Sequence, residues 1–229
     1  MKIPLRRPLF AAALVLLAAC NPPKSARYTS IAKDYSVNVP WGWTVMTDQQ
    51  DDAFTQANFI GPFDGAFFLG APSLSVRWFK RYRPHRLADG RLELYTGPED
   101  FVKQMLSQVY GPTYYLQDGK GQQMDAPYEI TLRDSGLKAK FFTVLSPTPA
   151  PPNNMWGINQ QAGTNKPFVF RKHTYVIVTT PSGFYVLTYP ATNDGYENQI
   201  AAFKELIGSF IPTNDGPGGA KFKIPGPGR

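Results

Sequence analysis

Apolar and polar residues alternate from Tyr35 to Val39, with Ser36 and Asn38 between Tyr35, Val37 and Val39. That period of two is the signature of a half-buried strand. Pro40 ends the run, and Trp43-Thr44-Val45 resumes after a turn at Gly42. Leu74, Val76 and Trp78 alternate with Ser73, Ser75 and Arg77 in a further strand. Residues 128–133 and 137–145 read as a hairpin joined through Asp134-Ser135-Gly136, a turn-forming sequence. A second hairpin over 173–180 and 184–189 turns at Pro181-Ser182-Gly183. Val176 and Val178 alternate with Tyr175 and Ile177, so this strand is apolar on both faces. Such a strand belongs at the centre of a sheet covered on both sides.

Two segments change period. Thr96, with Glu99 three residues on, reads as a capping box. Phe101, Met105 and Val109 then form a stripe flanked by Val102 and Leu106, and Gly111 is a natural stop. Asp194 and Glu197 open the second helix in the same way. Its stripe is Tyr196, Ile200, Phe203 and Ile207, widened by Leu206 and Phe210. The strand–strand–helix order predicts an α+β fold, a central antiparallel sheet with helices packed on its faces. Trp43, Val76, Phe101, Met105, Val176, Val186, Phe203 and Phe210 are the expected core.

The first residues follow another logic. Lys2, Arg6 and Arg7 precede an uncharged, Ala- and Leu-rich run from Leu9 to Ala19. A spanning helix needs about 20 apolar residues, so the run reads as a signal-peptide core. It ends in Leu17-Ala18-Ala19-Cys20, which resembles the bacterial lipobox. The resemblance implies cleavage before Cys20, diacylglyceryl on its thiol and an acyl chain on the new amine. Two or more chains anchor stably, since each buried methylene contributes about 0.8 kcal/mol. Asn21 in place of Asp after the lipidated position points to the outer membrane, with the chain facing the periplasm.

Charge adds little. The formal net charge is +7, and cleavage removes three of those charges, Lys2, Arg6 and Arg7, leaving +4. Cys20 is the sole cysteine, so the mature domain forms no internal disulfide. The organisation read from composition is a signal over 1–19, a lipidated polar tether over 20–30, one domain over 31–212 and a Gly/Pro-rich disordered tail over 213–229. Within the domain, residues 146–166 look like an inserted loop rich in Pro and Asn.

Tyr35-Ser36-Val37-Asn38-Val39-Pro40-Trp41-Gly42-Trp43 resembles the opening strand and Gly-Trp turn of PsbP-like domains, grouped also with Mog and DcrB-like proteins. Phe184 to Tyr189, then Tyr196 to Phe203, then Ser209-Phe210 is similar to their closing strand, helix and Ser-Phe ending. The resemblance spans roughly residues 28–212, but only its two ends carry motifs. It implies an α/β/α sandwich. Its motifs are structural, family members have unrelated roles, and no binding residue is carried over.

Catalytic chemistry has little support. His85 lies in a basic run and His173 at a strand start, neither beside a nucleophile motif. No nucleophile elbow, zinc-protease or phosphate-loop pattern occurs, and no ligand spacing supports a metal or other cofactor. Glu99-Asp100 opens a helix, where the dipole favours negative charge, and Asp51-Asp52 reads as a solvated turn. The sharp local feature is the run Arg77, Lys80, Arg81, Arg83, Arg86 and Arg91, interleaved with Trp78, Phe79 and Tyr82. One reading is a charged edge blunted against pairing. The other gives Arg81, Arg83 and Arg86 contact with an anionic surface, such as lipid headgroups near the anchor. Nucleic acid does not fit this compartment. The sequence therefore reads as a non-catalytic envelope lipoprotein that binds or assembles an envelope partner. The rivals are an envelope enzyme acting on cell-wall or lipid material, and a purely structural lipoprotein.

Overall fold

The chain's two most apolar strands lie side by side within one sheet, extended by further strands on both sides and covered on its two faces by helices. The computed structural model describes residues 25–50, 53–67, 70–86, 90, 92–109, 123–124, 126–149 and 168–223. Strands β1 (Ser25–Thr29), β2 (Tyr35–Pro40), β3 (Thr44–Gln50), β4 (Phe54–Ile60), β5 (Ser73–Lys80), β6 (His85–Arg86) and β7 (Leu92–Glu93) precede helix α1 (Pro98–Val109). Strands β8 (Gln123–Met124), β9 (Tyr128–Thr131), β10 (Lys138–Pro149), β11 (Phe168–Thr179) and β12 (Gly183–Thr192) lead to helix α2 (Tyr196–Gly208) and β13 (Ile211–Pro212). The large sheet runs β3-β4-β5-β12-β11-β10-β8, with β9 also on β10. Its pairings are antiparallel.

Both sides of this sheet are buried, as the two-faced pattern of Tyr175 to Val178 predicts. Phe184, Val186, Tyr175 and Ile177 point to one side and pack with Phe101 and Met105 of α1. Tyr185, Leu187, Tyr189, Val176 and Val178 point to the other and pack with Phe203, Leu206 and Ile207 of α2. A second sheet, β1-β2-β13, lies on the α2 side and adds Tyr35, Val37 and Val39 to that core. The fold is thus α+β, a mostly antiparallel sheet with a helix on each face. Every residue of the expected core is buried except Trp43, which is half-buried and packs at the core's margin.

Several local expectations need correction. The Thr96 backbone N–H and hydroxyl are bonded to the Asp100 carboxylate, at 2.9 and 3.2 Å, and not to Glu99. The helix starts at Pro98, so the residue placed to reach back is Asp100, and Glu99 pairs instead with Lys140. The second helix has no side-chain cap: Gly195 precedes it, and its N–H is held by the Thr192 hydroxyl at 3.0 Å. Gly111 lies outside the described residues. Residues 25–29 are not tether but strand β1, paired along β2 from Ser25–Pro40 to Thr29–Ser36. Tyr28 supplies its one strong apolar contact, edge-on to Phe59 at 5.3 Å between centroids. The inserted loop begins later than expected, because Ser146 to Pro149 continue β10 against Arg171 to Phe168 of β11. Its prolines lie past the β8 pairing, on a strand flank without a described partner, where proline is tolerated.

The tail is the largest correction. Residues 213–223 follow β13 back across the fold instead of leaving it. Thr213 and Asn214 donate their backbone N–H groups to the Asp34 carbonyl at 2.7 and 3.1 Å. The Asp215 carboxylate accepts the Ser182 N–H at 3.0 Å, and Asn214 bridges to Lys221. Gly216, at φ +76°, lies flat against the Trp78 ring. Backbone hydrogen bonding to a buried anchor holds this segment, and Phe222 packs against the core beside it. Asp34 itself is fully buried and accepts the hydroxyls of Tyr185 and Ser30 at 2.9 and 2.5 Å.

Candidate functional site

Strand β5 carries the basic run to one end of the large sheet. Alternation sends Trp78 into the α2 core and leaves Arg77 and Phe79 on the α1 side. Arg77 is half-buried, donates to the Thr188 hydroxyl at 3.2 Å and has its guanidinium 5.8 Å from the Phe79 ring centre. Past Lys80 the chain turns sharply. Arg81 N–H donates to the Ser182 carbonyl and Tyr82 N–H to the Tyr95 carbonyl, at 3.0 and 2.9 Å. Tyr82 takes a left-handed conformation at φ +58° and points its ring outward. Pro84 follows, and His85-Arg86 pairs with Leu92-Glu93 as a short ribbon.

Of the three arginines read as a contact surface, Arg83 and Arg86 are exposed and Arg81 is half-buried. Arg86 reaches toward the Gly90 carbonyl at 3.5 Å. All three lie at the Lys80–Gly183 end of the sheet. The chain enters the fold at the other end, since Ser25 pairs with Pro40 and β2 leads through the Trp43 turn to Thr44, opposite Ile60. From Ser73 to Lys80 the strand rises about 23 Å, at about 3.3 Å per residue. Cys20 and Arg91 lie outside the described residues.

Sequence reasoning missed a cluster under this run. His85 is buried, stacked on Phe54 at 4.8 Å and flanked by Phe79 and Tyr95. Its Nε2 lies 3.3 Å from the Glu93 carboxylate, which also accepts the Tyr95 hydroxyl at 2.8 Å. Desolvation alone would raise the Glu93 carboxyl. The close approach of His85, the hydrogen bond from Tyr95 and the nearby Arg77 charge outweigh it and leave the group lowered. Tyr95 is pushed up, first by burial and then by Glu93. The one sequence signal was a histidine within the basic run, three residues past Tyr82, which reads as easily as a loop histidine.

The other titratable candidates are engaged structurally. Burial, with the like charge of Arg171, pushes His173 down to about 3, so it is neutral near pH 7. Glu99 is held low first by its hydrogen bond to Lys140, and Asp100 by those from Gln104 and Thr96. Asp51 and Asp52 lie outside the described residues. Among the described residues no three His, Cys, Asp or Glu side chains are grouped to hold a metal ion, and no helix is long and apolar enough to cross a membrane.

Two concavities lie among the described residues. One, of about 420 Å³, lies between the start of α1 and the β9–β10 hairpin, walled by Val102, Tyr128, Phe142 and Ile177, with the Glu99–Lys140 ion pair among its lining groups. The second, of about 500 Å³, lies at the chain's entry and is walled by Tyr28, Val39, Trp41, Trp43 and Val45, with Arg27 in its lining.

No family model matches this chain, and no curated protein matches it. Solved structures do overlap with it. The solution structure of cyanobacterial PsbP (CyanoP) from Synechocystis sp. PCC 6803 is 11% identical, with 85% of this chain and 95% of that one covered and a TM-score of 0.43. The Ran-binding protein Mog1p of Saccharomyces cerevisiae is 14% identical, with 82% and 95% covered and a TM-score of 0.41. A crystal structure from Bacteroides thetaiotaomicron VPI-5482 is 10% identical with a TM-score of 0.41, and this chain, 84% covered, spans only 50% of that protein. The α+β assignment rests on the strand order described above, and these overlaps add no argument about function. The chain's structural neighbours are nonetheless PsbP and Mog1 proteins, the grouping that its opening and closing motifs resemble.

Proposed function

We propose that this chain is a lipoprotein of the cell envelope, anchored through lipid on Cys20 and facing the periplasm. Its domain binds or helps assemble an envelope partner and performs no catalysis. Leu17-Ala18-Ala19-Cys20, placed behind a basic and then an apolar segment, is the observation that carries the anchor. Asn21 favours the outer membrane.

The binding reading is supported by the end of the sheet remote from the chain's entry. There Arg83 and Arg86 stand exposed around an outward Tyr82, held by a tight turn and by the His85–Glu93 contact beneath. Arg and Tyr are the residue types enriched at interfaces, and exposed guanidinium groups suit an acidic partner. The non-catalytic reading is supported by the engagement of the described candidate acids and bases in burial, capping or ion pairs.

The test is cross-linking of the membrane-extracted protein in mild detergent. Wild type is expected to recover one envelope partner in quantity. A variant with Arg81→Ser, Arg83→Ser and Arg86→Ser is expected to recover much less. Equal recovery, or none from either, would show that this end of the sheet is not a binding surface.

A further inference from the structure

We infer that the Pro40–Trp43 turn, with the concavity beside it, is the surface that rests in the headgroup zone of the bilayer holding Cys20. The inference builds on the anchor proposed above. Ser25 lies opposite Pro40 in the β1–β2 pairing, so the chain joins the fold beside this turn. Five residue steps connect Cys20 to Ser25, and an extended chain covers at most about 18 Å in that number. Ser25 therefore stays within that distance of the acylated residue whatever path the connection takes, and Pro40 lies one strand spacing, about 5 Å, beyond it.

The turn carries the side chain suited to that depth. Trp41 is 63% exposed, although it is large and apolar. An indole has an apolar body and one N–H donor, and tryptophan concentrates at headgroup level for that reason. The Trp43 N–H bonds to the Pro40 carbonyl at 3.1 Å, and Gly42 sits at φ +83°, so a tight turn presents Trp41. Trp43 is the brace, its ring against Gly61, where an added Cβ would come within 2.7 Å.

The apolar exposure is not confined to one ring. Met46, two residues past Thr44, is 64% exposed, and Phe63, two residues past Gly61, is 76% exposed. Both belong to the entry end of the sheet. The apolar wall of the 500 Å³ concavity lies toward the same end, so apolar exposure there goes beyond Trp41 alone. The arginines at the far end are about 23 Å away along β5, more than two Debye lengths at physiological salt. Arg27, in the lining of the concavity, is held by Asn38, Ser36 and the Ser209 carbonyl, so contact at the turn is apolar partition and a zwitterionic bilayer suffices for it.

Because Cys20 is the only cysteine, its thiol can be coupled to a maleimide phospholipid without ambiguity. The chain from Cys20 to Arg229 is coupled in this way to phosphatidylcholine vesicles whose acyl chains carry bromine near the headgroup. Tryptophan fluorescence is compared with that on unbrominated vesicles. Quenching is expected for wild type, and Trp41→Phe is expected to remove at least half of it while leaving the urea midpoint unchanged. A Tyr82→Trp variant, at the far end, is expected to gain no further quenching. Equal quenching in wild type and Trp41→Phe, or none in wild type, overturns the inference. Chemical coupling supplies the anchor whatever the cell does to Cys20. A failure here is therefore distinct from a failure of lipidation, which is read by fatty-acid labelling in cells.

Discussion

The docked tail gives a sharp test, because composition and structure disagree about it. Gly216 sits at φ +76°, and a Cβ there would fall 2.2 Å from Cζ2 of the Trp78 ring. Gly216→Ala thus meets two separate costs. A left-handed conformation costs an L-residue about 1–2 kcal/mol. Overpacking against a buried ring costs about 1–3 kcal/mol more. Trp78 is 1% exposed and bonded into the sheet between β4 and β12, so the ring cannot swing away cheaply. The tail can, however, detach. The loss is therefore capped by the tail's own docking free energy, which truncation after Pro212 measures separately. Gly218 is the control: it has φ +65° but open space around its Cβ position, so Gly218→Ala should show only the conformational cost. Urea unfolding of the four proteins decides the matter. The expected order of destabilisation is truncation at least as large as Gly216→Ala, and Gly216→Ala larger than Gly218→Ala. If truncation costs less than about 0.5 kcal/mol, a fraction of one net hydrogen bond, the tail does not hold Asp34, Ser182 and Trp78 as described.

Other expectations follow from the same structure. Phe203→Ala removes a fully buried ring stacked near Tyr189 and should cost about 3–5 kcal/mol by denaturant unfolding. A loss below about 1 kcal/mol would mean α2 does not seat this ring in the core. His173 is held neutral in the fold while the unfolded chain protonates it, so below its ordinary value of 6.5 the unfolded state binds the extra proton. Its contribution to stability should therefore fall from pH 6.5 toward 3, and His173→Phe should flatten the urea midpoint's pH dependence in that window. An unchanged profile would place His173 in water. The double change Arg83→Ser and Arg86→Ser should shift the unfolding midpoint little, because both side chains are exposed and exposed charges contribute little. A large shift would show that the segment is part of the core's support.

The sequence-level pattern was most informative where burial is two-sided. Tyr175 to Val178 and Phe184 to Tyr189 announced the central strands because nearly every position is apolar. The stripes around Phe101 and Phe203 announced the helices for the same reason. Strand β4 was harder to see, since its buried positions include Thr55 and Ala57 and its other positions carry Gln56 and Asn58. Strand β1 has only Tyr28 to mark it. The tail could not be seen at all, because Asp34, far away in sequence, supplies the carbonyl that orders it. The capping partner of α1 shifted by one residue, because helix start is set by Pro98 and not by the preceding threonine. At the basic run, Trp78 turned inward as its alternation required, and the exposure of Arg83 and Arg86 was legible from Pro84. Burial of His85 beside Glu93 was not, because their contact depends on a ribbon of two residues per strand. Nor could the local pattern reveal that the arginines and the chain's entry lie at opposite ends of the sheet. That is a property of the topology.

The anchor on Cys20 is the claim on which localisation and orientation depend. Its direct measurement is metabolic labelling of the expressed full chain with a fatty acid, followed by the intact mass of the membrane-extracted product. The account predicts label on wild type, none on Cys20→Ser, and a mass corresponding to residues 20–229 plus diacylglyceryl and an acyl chain. Label persisting on Cys20→Ser, or a wild-type product without added lipid mass, would contradict it.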